Sequence, residues 1–187
     1  MAKGPLTTGN TNSTDLSFPG HLMIIPINHC PTFEHLGDKK EETLNEMNDI
    51  REKIERAYEQ KGTIAVTYCI NKLPGVHAHW QIIPIPKQKI DQLEPALNNA
   101  IQNIGLELNS GWPTDERHDY FAIRWTGSEA KTATIPSSVR FNPNFARQFL
   151  AKLLNIPERE NWRQCTQTQD DEIRDGELTR SQLHLNL

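Results

Sequence analysis

The chain has 187 residues, 36% of them apolar, and a formal net charge of −4. This length is sufficient for one domain, or one domain with a smaller companion, around a real hydrophobic core. Seven acidic residues and three arginines lie between Glu158 and Glu177, so that segment carries the whole net charge. Because the remainder is neutral, the composition excludes a broad non-specific nucleic-acid surface, and any phosphate contact is expected to be local.

The cysteines and the apolar runs restrict the compartment. Cys30, Cys69 and Cys165 are widely separated and form no CxxC pair, which argues against a disulfide framework and a complete zinc knuckle. We therefore expect a reduced, intracellular protein. The polar first twenty residues do not resemble a secretory signal, and no apolar run approaches membrane-spanning length.

Residues 20–62 predict a strand followed by a helix. The continuous apolar run 22–27 predicts a strand buried on both faces, although Pro26 limits its ladder hydrogen bonds. The helix is predicted to begin with Asp38 as its cap and to end at Gly62, with its charged residues facing water. Its apolar stripe consists of Leu44, Met47, Ile50, Ile54 and Tyr58.

Residues 63–105 predict two more strands and a helix. Residues 63–70 alternate in a strand pattern, and the turn residues 71–75 deliver the chain into an antiparallel neighbour over residues 76–86. A second helix is predicted over residues 91–104, with Gly105 at its end. This order predicts an α+β fold with helices on a mostly antiparallel sheet.

Beyond residue 112 the sequence predicts one strand and one helix. Residues 120–126 alternate as a strand, and residues 130–138 read as a small polar linker. Asn142 and Pro143 predict the cap and first residue of a helix that stops at Pro157. The residues from Gln167 onward are polar and acidic, so we expect them to be loosely ordered.

A row of polar side chains interrupts the apolar pattern at residues 76–82. In an extended segment His77, His79 and Gln81 project from one face, whereas Trp80 and Ile82 project from the other. Two imidazoles and an amide in one row on a sheet need a polar partner such as a phosphate, a metal or water. The alternative is a solvated strand face with chance histidines. His21, His35, His118 and His184 lack a companion at useful spacing, so we expect surface or turn positions for them.

The chemistry that this row permits is phosphate binding or nucleophilic catalysis. A neutral imidazole can attack phosphorus through a covalent intermediate if one ring nitrogen is free and the other donates to an acceptor. His79, at the centre of the row, is the candidate for that role. Gln81 could hold a phosphate oxygen without competing for protons.

Residues 77–81, with residues 20–29 and 84–86, resemble the histidine-triad superfamily in the variant where glutamine replaces the third histidine. The CwfJ-like family is the closer resemblance. Residues 3–7 are similar to its opening segment, and residues 145–165 are similar to its second C-terminal domain. The resemblance implies a histidine-triad-like antiparallel sheet with packed helices over residues 1–112, truncated at its N-terminus. It also implies a small α+β companion with an acidic tail over residues 113–187.

The resemblance also implies roles for four residues. His79 matches the nucleophile and Gln81 the phosphate-side amide, so these two are the candidate catalytic pair, while His77, Gln81 and His29 are candidate phosphate contacts. In zinc-bearing relatives the positions of His29 and His77 carry metal ligands that act with an upstream CxxC pair, which this sequence lacks. Two histidines make a weak zinc site, so we expect no metal and no other cofactor.

The implied function is a nuclear role in pre-mRNA splicing or intron lariat turnover. The protein would bind RNA phosphate, or a partner from the spliceosome or the lariat-debranching machinery, through this pocket, and it would not act at a membrane. The alternative is an active nucleotidyl hydrolase or transferase with a covalent intermediate on His79. A third possibility is a fragment that folds incompletely, which a broad, non-cooperative thermal melt would indicate.

Overall fold

The computed structural model describes residues 20–72, 77–113, 118–161 and 168–183. Within them, six antiparallel strands form one sheet in the order β1-β3-β2-β5-β6-β4. The strands are β1 Leu22–Ile24, β2 Thr63–Asn71, β3 Trp80–Pro86, β4 Asn109–Ser110, β5 Tyr120–Trp125 and β6 Lys131–Thr134. The α-helices are α1 Lys40–Gln60, α2 Ile90–Gln102, α3 Phe145–Leu153 and α4 Gln169–Leu183. The predicted α+β class is confirmed, and none of these helices has the length and apolarity to cross a bilayer.

The sheet separates two hydrophobic cores. Alternate residues of β2 point to opposite faces: Val66 and Tyr68 join α2 and α3 in one core, whereas Ala65 and Cys69 join α1 in the other. Both sets are buried because β2 lies between β3 and β5 and is covered on both sides. Side chains on β2 and β3 are therefore accessible to solvent mainly at the ends of these strands.

Three predicted elements are confirmed closely. They are the strand β2, the helix α2 with Leu93, Leu97 and Ile101 buried, and the strand β5. Gly62 and Gly105 follow α1 and α2 with φ of 74° and 72°, which is the left-handed conformation that favours glycine after a helix. The predicted antiparallel pairing of β2 with β3 is also confirmed.

The prediction that residues 22–27 form a strand buried on both faces was wrong. Among the described residues β1 is the edge strand, it ends at Ile24, and Met23, Ile25 and Ile27 are exposed. Pro26 has no N–H to donate, so the ladder cannot continue through it. The continuous apolar run therefore reflects exposed apolar surface rather than a central strand.

Two details of α1 also differ from the prediction. Asp38 lies in a 3₁₀ segment, Phe33–Lys39, and the residue before α1 is Lys39, which forms no side-chain cap. The expectation that every charge of the helix faces water fails for Arg51 and Glu55, which are buried against the sheet. They stabilise each other through an ion pair, so burial does not leave either charge unpaired.

The C-terminal third is more ordered than predicted. The expected linker 130–138 contains β6, and Ala133 and Ile135 in it are buried because they cover one side of the sheet. Helix α3 begins at Phe145 rather than at Pro143, since Asn142 accepts the backbone N–H of Asn144 in a turn before the helix. The residues from Gln169 form α4, so the expectation of loose order was wrong there.

Candidate functional site

The three side chains of the predicted row do not share one strand. β3 begins at Trp80, so only Gln81 of the row is a strand residue, and His77 and His79 lie in the non-strand segment that leads into it. The imidazole Nδ1 of His79 lies 2.8 Å from the backbone carbonyl oxygen of His77. This local bond fixes the ring of His79 relative to Gln81.

Gln81 is the centre of a buried hydrogen-bond network at this end of β3. Its side chain is only 7% exposed. The hydroxyl of Tyr68, which is opposite Gln81 in the ladder, donates to Oε1 at 2.8 Å, and Nε2 of His21 lies 3.1 Å from the same oxygen. The amide nitrogen of Gln81 lies 3.2 Å from Nε2 of His79. All three partners are therefore positioned by one amide group.

The partners of Gln81 determine the tautomer of His79. A carbonyl oxygen only accepts, so Nδ1 of His79 must carry the proton that it donates to His77. Tyr68 donates to Oε1 of Gln81, so the amide N–H₂ of Gln81 faces His79 and donates to Nε2. Nε2 therefore carries the lone pair of a neutral imidazole. This is the protonation pattern that a phosphorus nucleophile requires.

Tyr68 remains a donor under ordinary conditions because burial raises the pKa of its phenol. The positive charge of Arg147, on α3, partly offsets this effect. Arg147 is itself buried and donates from Nε to the backbone carbonyl of Arg159 at 2.7 Å. A cation from the C-terminal part of the chain thus acts on the polar network that contains His79.

His77 and His29 form a second group beside this network. Their ring centroids are 4.8 Å apart at an interplanar angle of 60°, and Nε2 of His77 lies 3.1 Å from the carbonyl oxygen of Pro26. His29 is exposed and His79 is half-buried. The site therefore has an accessible side.

The two imidazoles do not by themselves fit a zinc site. A structural zinc ion takes four ligands, and within the described residues no three histidine, cysteine or acidic side chains are grouped to hold a metal. Nε2 of His77 must also donate to Pro26, which leaves only Nδ1 of that ring for a metal. Burial raises the pKa of the Cys30 thiol, which makes it a poor thiolate ligand.

Sequence reasoning missed two members of the network. His21 was expected at a surface or turn position, and Tyr68 was not among the candidate site residues, yet both contact Gln81. The position of Tyr68 could have been found from the antiparallel pairing that the turn predicted, because cross-strand neighbours share a face. His21 had no comparable signal, since it depends on the edge position of β1.

The tryptophans of the sheet have a structural role. Trp80 and Trp125 are buried in the cores, and Trp80 stacks on Trp112 with centroids 5.4 Å apart. Trp162, Cys165 and His184 lie outside the described residues.

The comparisons with known proteins define the family. The model "Protein similar to CwfJ C-terminal" matches residues 1–97, and the model "Protein similar to CwfJ C-terminus 2" matches residues 109–182. The chain belongs to this CwfJ C-terminal family, as the CwfJ-like resemblance of residues 3–7 and 145–165 predicted.

Several curated proteins are similar over most of the chain. CWF19-like protein mug161 of Schizosaccharomyces pombe is 34% identical over 178 residues, which covers 95% of this chain and 32% of that protein. CWF19-like protein DRN1 of Saccharomyces cerevisiae is 25% identical, covering 94% of this chain and 39% of that protein. CWF19-like protein 1 of Homo sapiens is 25% identical, covering 81% and 29%. The chain thus spans about a third of the length of the curated relatives it matches.

Proposed function

We propose that this protein is a nuclear, splicing-associated member of its family that binds RNA phosphate at the site formed by His79 and Gln81. In this proposal the sheet is of the histidine-triad type, and the protein acts in pre-mRNA splicing or intron lariat turnover with partners from those machineries. Family membership and the resemblance of residues 77–81 support this role. The observation that carries it is the hydrogen-bond network that orients the amide of Gln81 toward His79.

The chemistry of the site suits a phosphate oxygen. The amide nitrogen of Gln81 has two hydrogens, and one of them is sufficient for His79, so the other can be donated to an anion. The exposed ring of His29 lies against His77 on the accessible side and can supply a further donor. Hydrogen bonds to a charged group are worth about 1.5–3 kcal/mol. A few such donors give local phosphate affinity without a basic surface.

Binding is favoured over catalysis by the state of Nε2 in His79. Nε2 already accepts the amide hydrogen of Gln81, and attack on phosphorus requires that bond to break. The alternative, a nucleotidyl hydrolase or transferase, is favoured by the bond from Nδ1 to the carbonyl of His77, because it holds the nucleophilic tautomer. Phosphate binding and catalysis would therefore both involve His79 and Gln81.

Binding of a 5′-phosphorylated RNA oligonucleotide and of its unphosphorylated form tests the proposal. We expect the phosphorylated form to bind more tightly, and Gln81→Met, which retains side-chain length without the amide, to weaken it by about tenfold or more. His35→Asn, at an exposed histidine outside the site, should leave affinity unchanged. Equal binding of both oligonucleotides, or an unaltered Gln81→Met variant, would contradict phosphate recognition by this site.

The catalytic alternative has a separate readout. An active enzyme should form an acid-labile nucleotidyl adduct on His79 and lose it in His79→Asn. A binding module should form no adduct with any of several nucleotide donors. An adduct on native protein would replace the binding proposal with the catalytic one.

A further inference from the structure

A groove lies at the outer edge of the sheet, along β1. It has a volume of about 670 Å³, within the range of about 300–1,000 Å³ typical of ligand sites. β1 and α1 supply an apolar floor that includes Leu22, Ile24 and Ile54, and α4 supplies the opposite wall with Ile173 and Glu177. The groove therefore has one wall formed by an edge strand.

Exposed apolar side chains concentrate around this groove. Among the described residues, the large hydrophobic side chains left exposed are Met23, Ile25, Ile27, Ile173 and Leu178. All five lie on the β1 segment or on α4, and Met23, Ile25 and Ile173 line the groove itself. Contiguous exposed apolar surface rimmed by polar residues is typical of an interaction site.

The β1 segment has the form of a strand template. Met23 and Ile25 are exposed, while Ile24 between them is buried, which is the alternation of an extended chain before the bend at Ile27. Alternate residues of an edge strand direct their N–H and C=O groups away from the sheet. An extended peptide can therefore add to this edge and place every second side chain over the groove.

The negative charge of α4 indicates which kind of partner can bind in the groove. Five acidic residues and two arginines lie in α4, and Glu172, Glu177 and Arg180 line the groove, so both the helix and the lining are net negative. If two copies of this chain paired through β1, the acidic helix of each copy would approach the other and repel it. A partner that carries lysine or arginine between its apolar residues is attracted instead.

We propose that this groove binds an extended peptide segment of a protein partner, as an added strand along β1, in which apolar and basic side chains take turns at every second position. These side chains project from one face of the added strand, so the apolar ones contact Ile25 and Ile173 and the lysine or arginine side chains face Glu172 and Glu177. The proposal does not rest on the phosphate site, although Met23 in the groove lining is the cross-strand partner of Gln81.

The test uses a fluorescein-labelled peptide of about eight residues with the repeat threonine-valine-threonine-lysine, so that valine and lysine project from one face of the strand. We expect saturable binding, weaker binding when glutamate replaces lysine, and none when prolines replace the inner valines, because proline removes the ladder N–H. Ile25→Asp and Ile173→Asp should each weaken binding by at least about tenfold, since each would bury an unpaired charge. Leu178→Asp, an exposed α4 position outside the groove lining, is the matched control and should bind as the native protein does.

Three results would overturn the proposal. They are the absence of saturable binding, equal binding of the proline peptide, and native affinity in Ile25→Asp. Sedimentation of the native chain gives a fourth readout: self-association that Ile25→Asp abolishes would assign the groove to a second copy instead. Thermal melts of each variant identify any loss of binding that results from unfolding. For a variant that unfolds, the charge reversal Glu177→Lys is used instead. It should bind the peptide more weakly, and native affinity would count against the proposal.

Discussion

The amide nitrogen of Gln81 donates to Nε2 of His79 across 3.2 Å, while Oε1 of the same amide accepts the hydroxyl of Tyr68 at 2.8 Å. The direction of the first bond is thus set by the second. If the terminal amide of Gln81 were flipped by 180°, its N–H₂ group would face Tyr68 and its carbonyl oxygen would face His79. The protonation of His79 and the orientation of Gln81 are therefore coupled.

This coupling predicts the effect of Gln81→Glu. A carboxylate at position 81 can only accept, so it should favour a proton on Nε2 of His79, and the ring should stay doubly protonated to a higher pH than in the native protein. Nitrogen-detected imidazole spectra recorded against pH measure this directly. Gln102→Glu, at an exposed position on α2, is the control and should leave His79 unchanged. An unchanged titration of His79 in Gln81→Glu would show that the two side chains do not communicate.

The buried phenols predict alkaline destabilisation. Burial raises the pKa of Tyr58 and of Tyr68 above the ordinary value of about 10. In the unfolded chain both phenols ionise above about pH 10, whereas in the folded protein they remain neutral. Their contribution to stability is therefore complete below about pH 10 and is lost as the pH rises further.

Urea denaturation at about pH 8 and about pH 11 measures this loss. Tyr68→Phe should lower the free energy of unfolding at about pH 8 by about 1 kcal/mol, because Gln81 loses a hydrogen bond, and should reduce the further loss at about pH 11. Tyr58→Phe, which removes the hydroxyl that donates to Gly20, should reduce the alkaline loss in the same way. A loss that neither substitution reduces would assign the alkaline transition to other groups.

The buried ion pair between α1 and the sheet predicts a large effect of Glu55→Ala. Oε1 of Glu55 lies 2.5 Å from a guanidinium nitrogen of Arg51, and Oε2 lies 3.8 Å from one of Arg124. Burial lowers the pKa of Arg124, and Glu55 counteracts this effect. Without Glu55 two arginines are left facing each other, so the free energy of unfolding should fall by about 3–5 kcal/mol.

Glu52→Ala is the control for that variant. Glu52 also contacts Arg51, at 3.6 Å, but its side chain is 52% exposed, so its removal should cost less than about 1 kcal/mol. Urea denaturation of both variants measures the difference. Equal costs would show that burial does not strengthen the interaction with Glu55.

The cap of α4 predicts an acid-sensitive helix. The hydroxyl of Thr168 donates to a carboxylate oxygen of Asp171 at 2.7 Å and accepts the backbone N–H of Asp171 at 3.2 Å. The hydrogen bond from Thr168 is the main reason that the pKa of Asp171 is lowered. The cap is therefore intact above about pH 4 and is lost as the pH falls below that value.

Amide hydrogen exchange measures this cap. Thr168→Ala should raise exchange rates in the first turn of α4 about fivefold and should not affect α2. Ser181→Ala, near the other end of α4, is the control. If both variants exchange alike, the hydroxyl of Thr168 does not hold the start of the helix.

The central elements could be predicted because their patterns are local. The alternation in β2 and β5 and the glycines after α1 and α2 report directly on the backbone. The contact between His79 and Gln81 was also predictable, because residues two apart in an extended segment share a face. Their side chains lie 3.2 Å apart at the start of β3, although only Gln81 is a strand residue.

The remaining features depend on distant partners. An apolar run such as residues 22–27 has the same sequence pattern whether its strand is central or at the edge of a sheet. Only the strand order distinguishes the two positions. Arg51 and Glu55 read as solvent-facing because their neighbour Arg124 lies on β5. The order of α4 had a local signal that was missed, since Thr168 and Asp171 have the spacing of a helix N-cap and its N3 partner. The roles of His79, Gln81, His77 and His29 toward a ligand stay predictions.

The pairing of β2 with β5 has a practical consequence for anyone who divides this chain. A polypeptide cut after residue 112 would keep β2 but lose the strand that occupies its second edge, and Phe121 would no longer fill the core beneath it. The unpaired edge of β2 and the newly exposed apolar surface would then bind other copies of the fragment, so the fragment should aggregate and precipitate. Expression of the two halves from separate genes should recover material that stays in solution only when both are made together.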